Sequence, residues 1–496
     1  MKHCVYDLYE LPQIHDLKDM LIQKKKSKPK GVAFTYSSGR EQISKTYEDF
    51  WRDVSALGTW MHSENLRDNH IAIIGENSYE WLLCFFAVVC GTGVALPIDK
   101  ELPEREIADL LIRTDVQAVF CSEMYYDMVS CAVNCNEIKI YCMTELCCFQ
   151  SKGEKLLLDG VDSFINDRID REKLCCMMFT SGTQGKSKAV MLSHENIAED
   201  INGSCKLFVL EGNTIAILPF HHAFGLVVAV CMVLNYGYTI YINQSLKRIQ
   251  KDLVMAKPQT MFVVPLFVET FHKQIWAAAK KNGQEKQLRK MMALSDFLLK
   301  LRIDIRKKLF GSVCDIFGGA VEYVICGGAP LGLQYIKEFR SWGIEILNGY
   351  GTTECSPCAA VNRNDYHKDG TVGIIVPGVD VRISENGEVL LKGAIVMRGY
   401  YNDAVSTAQV LDKDGWYATG DLGYIDPDGF LSLTGRIKNL IILSNGENVS
   451  PEEIESDFLQ YEEVREVLVY EQDKMIVAEI YPNEDCLPEC LRGESR

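Results

Sequence analysis

Phe179-Thr180-Ser181-Gly182-Thr183-Gln184-Gly185-Lys186-Ser187-Lys188 is the stretch on which the fold turns. Its glycines allow a backbone turn that aims successive N–H groups at one point, an arrangement suited to phosphate oxygens. Threonine and serine hydroxyls add donors, and the lysines add charge. Gly185-Lys186-Ser187 has the outline of a Walker loop, but that loop needs a glycine five residues before Gly185, where Thr180 stands. The Walker match fails. A merely flexible polar loop would leave the rest of the chain unexplained.

Upstream of this stretch, helical and strand patterns alternate. Phe50, Val54, Leu57 and Met61 recur at helical spacing, and residues 71–74 read as a buried strand closed by Gly75. Residues 79–90 predict a helix, 93–98 a strand, 104–112 a helix and 116–121 a strand. That rhythm predicts an α/β architecture with largely parallel sheets. Residues 81–98 are almost wholly apolar and long enough to suggest a membrane span. Gly91, Thr92, Gly93 and Pro97 interrupt them, so a helix followed by a buried strand is expected. Downstream, residues 271–310 turn helical and basic. After Ile374 short alternating runs, 379–384 and 388–392, predict a small antiparallel sheet or barrel. From about Ile437 a separate small α+β unit is expected.

The chain has 496 residues, 47% hydrophobic and 24% charged, which suits a folded protein of two or more domains. Its net charge of −16 argues against a nucleic-acid partner. One basic run, Lys24-Lys25-Lys26-Ser27-Lys28-Pro29-Lys30, is expected to be a solvated loop, with a membrane-surface or nuclear signal as the alternative. Nineteen cysteines without a repeating frame point to reduced thiols and a cytoplasmic setting. Cys355 and Cys358 form a C-x-x-C without the second pair a zinc site wants. Residues 1–16 mix charge with apolar residues, so no secretory signal is expected.

Thr-Ser-Gly-Thr-x-Gly-x-x-Lys followed by Val190-Met191-Leu192-Ser193-His194 resembles the signature loop of the adenylate-forming superfamily, and within it long-chain fatty-acid–CoA ligases. Further blocks agree in order. Leu218-Pro219-Phe220-His221-His222-Ala223-Phe224-Gly225 resembles the acid-side motif. Cys326-Gly327-Gly328-Ala329-Pro330 and Gly349-Tyr350-Gly351-Thr352-Thr353-Glu354 resemble the nucleotide motifs. Tyr417-Ala418-Thr419-Gly420-Asp421, Gly435-Arg436-Ile437-Lys438-Asn439 and residues 444–455 close the series. The resemblance implies an α/β fold: a large N-terminal domain (1–436) of α/β subdomains with a small β-barrel-like subdomain, and a small α+β C-terminal lid (437–496).

It also implies a reaction in which a carboxylate attacks the α-phosphate of ATP, and the acyl group then passes to coenzyme A. Two anions must meet, so the site has to neutralise charge and hold the reactants in line. By resemblance Thr180, Ser181, Gly182, Thr183, Gly185 and Lys188 would grip the β- and γ-phosphates, and Thr353 would touch the α-phosphate. Glu354 would hold Mg²⁺ through a hard carboxylate oxygen. Adenine would lie between Tyr350 and the turn Gly328-Ala329-Pro330, with Asn348, Gly349, Gly351 and Thr352 completing the nucleotide side. Asp421, supported by Arg436, would accept both ribose hydroxyls. His222, Phe224, Gly225 and Gly351 would face the acid. Lys438 would be the hinge about which the lid turns, bringing Gly446 to the pantetheine arm.

Ser187 and Ala189 replace the family's usual proline and glycine, small changes expected only to tune the loop. No lysine follows Lys474, so the lid is expected to be short and to lack the lysine that such enzymes use in adenylation. The segment from Arg306 to Leu331 resembles long-chain ligases, and Trp276, Leu298 and Leu299 could either wall an acyl tunnel or pack as ordinary helix core. An amino-acid substrate would want an acidic partner near Phe220-His221-His222-Ala223, which offers none. A fatty acid is favoured. Loading of an acyl carrier protein, and binding of nucleotide or acyl-adenylate without turnover, remain the alternatives. Peripheral membrane contact is left open.

Overall fold

The computed structural model describes residues 6–39, 41–133, 138–180, 187–442, 448–459, 461, 463–472 and 475–482. Two sheets organise the large N-terminal part. The first has seven strands, with Gly93–Ile98, Asn69–Ile74, Ala118–Cys121 and Lys139–Cys142 among its parallel members. Leu174–Thr180 joins Gly93–Ile98 in parallel, and Lys188–Ser193 then pairs antiparallel to it. The strands expected between residues 71 and 121 are present, the last as Ala118–Cys121, and the helices expected after the first two follow them. Residues 81–98 divide as expected: the helix Tyr79–Ala87, one wide turn over Val88–Thr92, then the buried strand. Among the described residues no helix is long and apolar enough to cross a membrane.

The second sheet has thirteen strands. Its parallel block runs Glu345–Tyr350, Tyr323–Cys326, Thr260–Val263, Thr214–Ala216, Ile240–Ile242, Val32–Ser38. At one edge Gly349 and Tyr350 pair antiparallel with Val361 and Ala360. An antiparallel run continues from there, ending in the hairpin Val379–Ile383/Glu388–Gly393 anticipated from the alternating pattern after Ile374. The strands Tyr417–Ile425 and Phe430–Arg436 of that run place Asp421 directly opposite Arg436.

The helix Tyr47–Ser63 shows how sequence sets packing here. Thr46 and Asp49 form a capping box, and Phe50, Val54, Leu57, Trp60 and Met61 are all buried in one core with the first sheet. Each such side chain contributes roughly 1.5–3 kcal/mol by burial. The lysine run departs from expectation. Lys24, Lys25 and Lys26 form the last turn of the helix Leu17–Ser27, where cations complement the exposed carbonyls. Lys24 is buried, which pushes its pKa down, and Lys28 donates to the Gly237 carbonyl at 2.7 Å. A stem that packs on apolar surface explains this, and charge counting could not foresee it. After Arg436 a small α+β part follows, with the helix Pro451–Phe458 and the hairpin Val464–Gln472/Met475–Pro482.

Candidate active site

Parallel sheets offer ligands the crevice beyond their carboxyl ends. The strands Thr260–Val263, Tyr323–Cys326 and Glu345–Tyr350 end side by side, and Gly328-Ala329-Pro330 forms an exposed turn just past one of those ends. Gly328 has φ +87°, a conformation that glycine adopts without strain. Asn348 and Tyr350 share one face of their strand. The Asn348 side-chain oxygen is buried without a partner among the described residues, an acceptor still open to a donor. Gly351 has a packing reason to be glycine: an added Cβ would stand 1.6 Å from the Pro357 carbonyl oxygen. Gly225 likewise has the Pro219 carbonyl oxygen 2.3 Å from such a Cβ. Both glycines are explained by close approach of backbone, whatever the ligand.

Two polar clusters flank this edge. In one, the Tyr350 hydroxyl donates to Asp421 Oδ2 at 2.6 Å, and Arg436 Nε donates to Asp421 Oδ1 at 2.6 Å. Burial first, then the neighbouring carboxylate, push the Tyr350 phenol well above its ordinary pKa, so it stays a donor. Asp421 is itself buried, while the Arg436 side chain is about half exposed (48%) and forms its lid. In the other cluster Lys188 lies opposite Thr180 across the strand pair, so both ends of the signature loop meet. Lys188 Nζ sits 4.7 Å from the centre of the Tyr400 ring. The Tyr400 hydroxyl donates to Glu354 Oε1 at 2.8 Å, and burial together with that carboxylate raises its pKa. Thr352 and Thr353 adjoin Glu354, with the Thr352 hydroxyl donating to that of Tyr417 at 3.3 Å. Ser181, Gly182, Thr183, Gly185 and Gly446 lie outside the described residues.

Beside Tyr350 an apolar cavity opens, with about 610 Å³ of empty space including its open mouth. Phe224, Val228 and Met232 line it from the wide-turned helix Phe224–Met232, Phe262 and Ile325 from the sheet, and Gly349, Tyr350 and Gly351 at the nucleotide side. Phe224 and Gly351, two of the residues expected to face the acid, both line this cavity. His222 does not line it: with His221 it lines another, larger cleft between the carboxyl ends of the two sheets. Burial holds the His222 pKa below its ordinary value, and burial with the His222 charge brings His221 to about 4. Trp276, Leu298 and Leu299 do not line the apolar cavity. Trp276 packs on the opposite side of the second sheet and donates from Nε1 to Glu338 at 2.8 Å.

Tyr400 escaped sequence reasoning. It lies in Arg398-Gly399-Tyr400-Tyr401, a stretch with no chemical signal of its own, and reaches Glu354 only because Gly399–Tyr400 pairs with Lys188–Ser193. Lys438 lies in the short turn Ile437–Asn439, directly after Arg436. Among the described residues no cluster of three or more His, Cys, Asp and Glu could cage a metal. A single carboxylate such as Glu354 instead fits Mg²⁺ arriving with a nucleotide's phosphates, the usual mode for that ion.

Residues 22–401 match the family described as AMP-binding enzyme. The long-chain-fatty-acid–CoA ligase FadD15 of Mycobacterium bovis is 24% identical, over 86% of this chain and 74% of that protein. The long-chain-fatty-acid–CoA ligase 5 of Mus musculus is 26% identical, over 85% and 68% respectively. Among solved structures, ATP-bound MatB from Rhodopseudomonas palustris has a TM-score of 0.76 at 23% identity, covering 95% of this chain and 89% of that one. That last likeness is one of fold.

Proposed function

The chain belongs to the AMP-binding enzyme family, and from that premise we propose that it is a fatty-acid–CoA ligase, forming an acyl-adenylate from ATP and passing the acyl group to coenzyme A. The observation that carries this reading is one junction: the apolar cavity opens at Gly349, Tyr350 and Gly351, where the Asp421 cluster begins. An acid in that cavity would present its carboxylate to a nucleotide held beside it. The names of the relatives support a long-chain acid.

In this scheme Gly328, Ala329 and Pro330 face the adenine ring with Tyr350, and the open oxygen of Asn348 suits its amino group. Asp421 takes the ribose hydroxyls beside the exposed half of Arg436. Thr180, Ser181, Gly182, Thr183, Gly185 and Lys188 hold the β- and γ-phosphates, and Thr353 the α-phosphate. Bound Mg²⁺ would supply charge neutralisation at the phosphates, with Glu354 as its protein ligand. Lys188 draws negative charge from the departing pyrophosphate, and the apolar walls exclude water from the mixed anhydride. The small part after Arg436 then turns about Lys438, and Gly446 leaves room for the thiol arm. We place the domain boundary between Arg436 and Ile437.

Incubating the protein with ATP, Mg²⁺ and a ladder of fatty acids tests the proposal, with AMP and thioester measured with and without coenzyme A. Thioester should form from medium or long acids. An amino acid or acetate as best substrate, or transfer only to a carrier protein, would overturn it.

A further inference from the structure

The helix Glu285–Lys300 has two faces of different chemistry. Leu288 and Ser295 are buried toward the domain, and Ser295 donates to the Ser341 carbonyl on the neighbouring helix Leu333–Trp342 at 3.1 Å. At helical spacing on the other side stand Lys286, Lys290, Leu294, Phe297 and Leu301. These apolar residues face outward: Leu294 is 47% exposed, Phe297 60% and Leu301 55%, with Ile303 beyond them at 49%. One exposed leucine would need no explanation, but a row of four large apolar side chains does.

The charge around this row is the reverse of the chain's. Residues 265–310 carry eleven Lys and Arg against four Asp and Glu, within a protein of net charge −16. The acids near the row are already engaged. Glu285 pairs with Arg289, Asp296 accepts from the Ser341 hydroxyl at 2.7 Å, and Asp304 is bridged by Arg306 at 2.8 Å. Lys286, Lys290 and Lys300 have no acidic partner among the described residues. The row therefore presents apolar side chains flanked by uncompensated cations.

We propose that this face docks on an anionic lipid surface, with Phe297, Leu294 and Leu301 entering the headgroup boundary and Lys286, Lys290 and Lys300 meeting the lipid charge. A bilayer fits better than a nucleic acid, because phosphate binding gives no reason to expose Phe297 and Leu301. The face lies on the side of the second sheet away from the apolar cavity, so docking is independent of the reaction proposed above.

The test is sedimentation of the full chain with vesicles of phosphatidylcholine alone or with about one-third phosphatidylserine, at low and high salt. Binding should need the anionic lipid and fade with salt. Lys286→Gln with Lys290→Gln should weaken it about 25-fold, roughly five-fold per charge. Phe297→Ser should weaken it further at either salt. All of these positions are at the surface, so ATP binding by the variants should be unchanged and serves as the check on folding. No binding to either vesicle, equal binding to both, or full binding by the variants would overturn the proposal. So would binding to transfer RNA without binding to vesicles.

Discussion

Asp421→Asn is the most informative single change to the nucleotide edge. In the native protein the carboxylate accepts from Tyr350 and from Arg436, both at 2.6 Å. The amide keeps the shape but has one acceptor oxygen and a donor in place of the other. The oxygen should turn toward Arg436, which can only donate, leaving the amide N–H to Tyr350, whose hydroxyl can also accept. Folding therefore loses the charge assistance of two bonds, about 1 kcal/mol each, less at the half-exposed Arg436. The loss for a nucleotide is larger. Two ribose hydroxyls meeting a carboxylate are replaced by two meeting one neutral oxygen, about 2 kcal/mol or roughly 30-fold in affinity. Calorimetric titration with ATP measures the second loss, and thermal unfolding without ligand measures the first. If stability fell while ATP affinity stayed within about two-fold, Asp421 would be a brace for Tyr350 and Arg436 and not a ribose ligand. Asp421→Ala separates the two less cleanly, since it also leaves both donors without an acceptor.

Tyr400→Phe keeps the ring under Lys188 but removes the hydrogen bond to Glu354; ATP affinity should fall several-fold in the presence of Mg²⁺ and little in its absence, as read by titration with and without the ion. Val228→Trp fills the apolar cavity, and the best acid in a turnover panel should become several carbons shorter at unchanged ATP affinity, each lost methylene contact being worth about 0.8 kcal/mol. His194 is buried, and burial lowers its pKa from the ordinary 6.5 to about 4. The unfolded chain thus binds the proton more readily, so stability is full above pH 6.5 and declines as pH falls toward 4, by about 3 kcal/mol. Denaturant titrations across that window should show the decline, and His194→Gln should flatten it.

The parallel framework was legible because its signals are local. Residues 71–74, 93–98 and 116–121 each carry enough apolar character in a few positions to declare a buried strand, and Gly75 and Gly93 mark breaks between elements. What stayed hidden is non-local. Tyr400 meets Glu354 through a two-residue strand pairing whose register only the folded chain supplies. One wall of the apolar cavity comes from residues 224–232, an uninterrupted apolar run whose periodicity cannot say which side faces a space. His222 and Phe224 are two residues apart, yet they face different hollows. Lys24 was counted as a charge, although its stem is what the fold uses. Trp276 fitted a tunnel wall and ordinary helix packing equally well in the sequence, and it packs partly buried against the core on the other side of the sheet.

An acid and a nucleotide should react at the junction of the apolar cavity and the Asp421 edge. Exchange of labelled pyrophosphate into ATP isolates that step from thiol transfer. Exchange should require a fatty acid, rise as the chain lengthens and fall roughly 30-fold in Asp421→Asn at subsaturating ATP. Tight ATP binding without any acid-dependent exchange would contradict it.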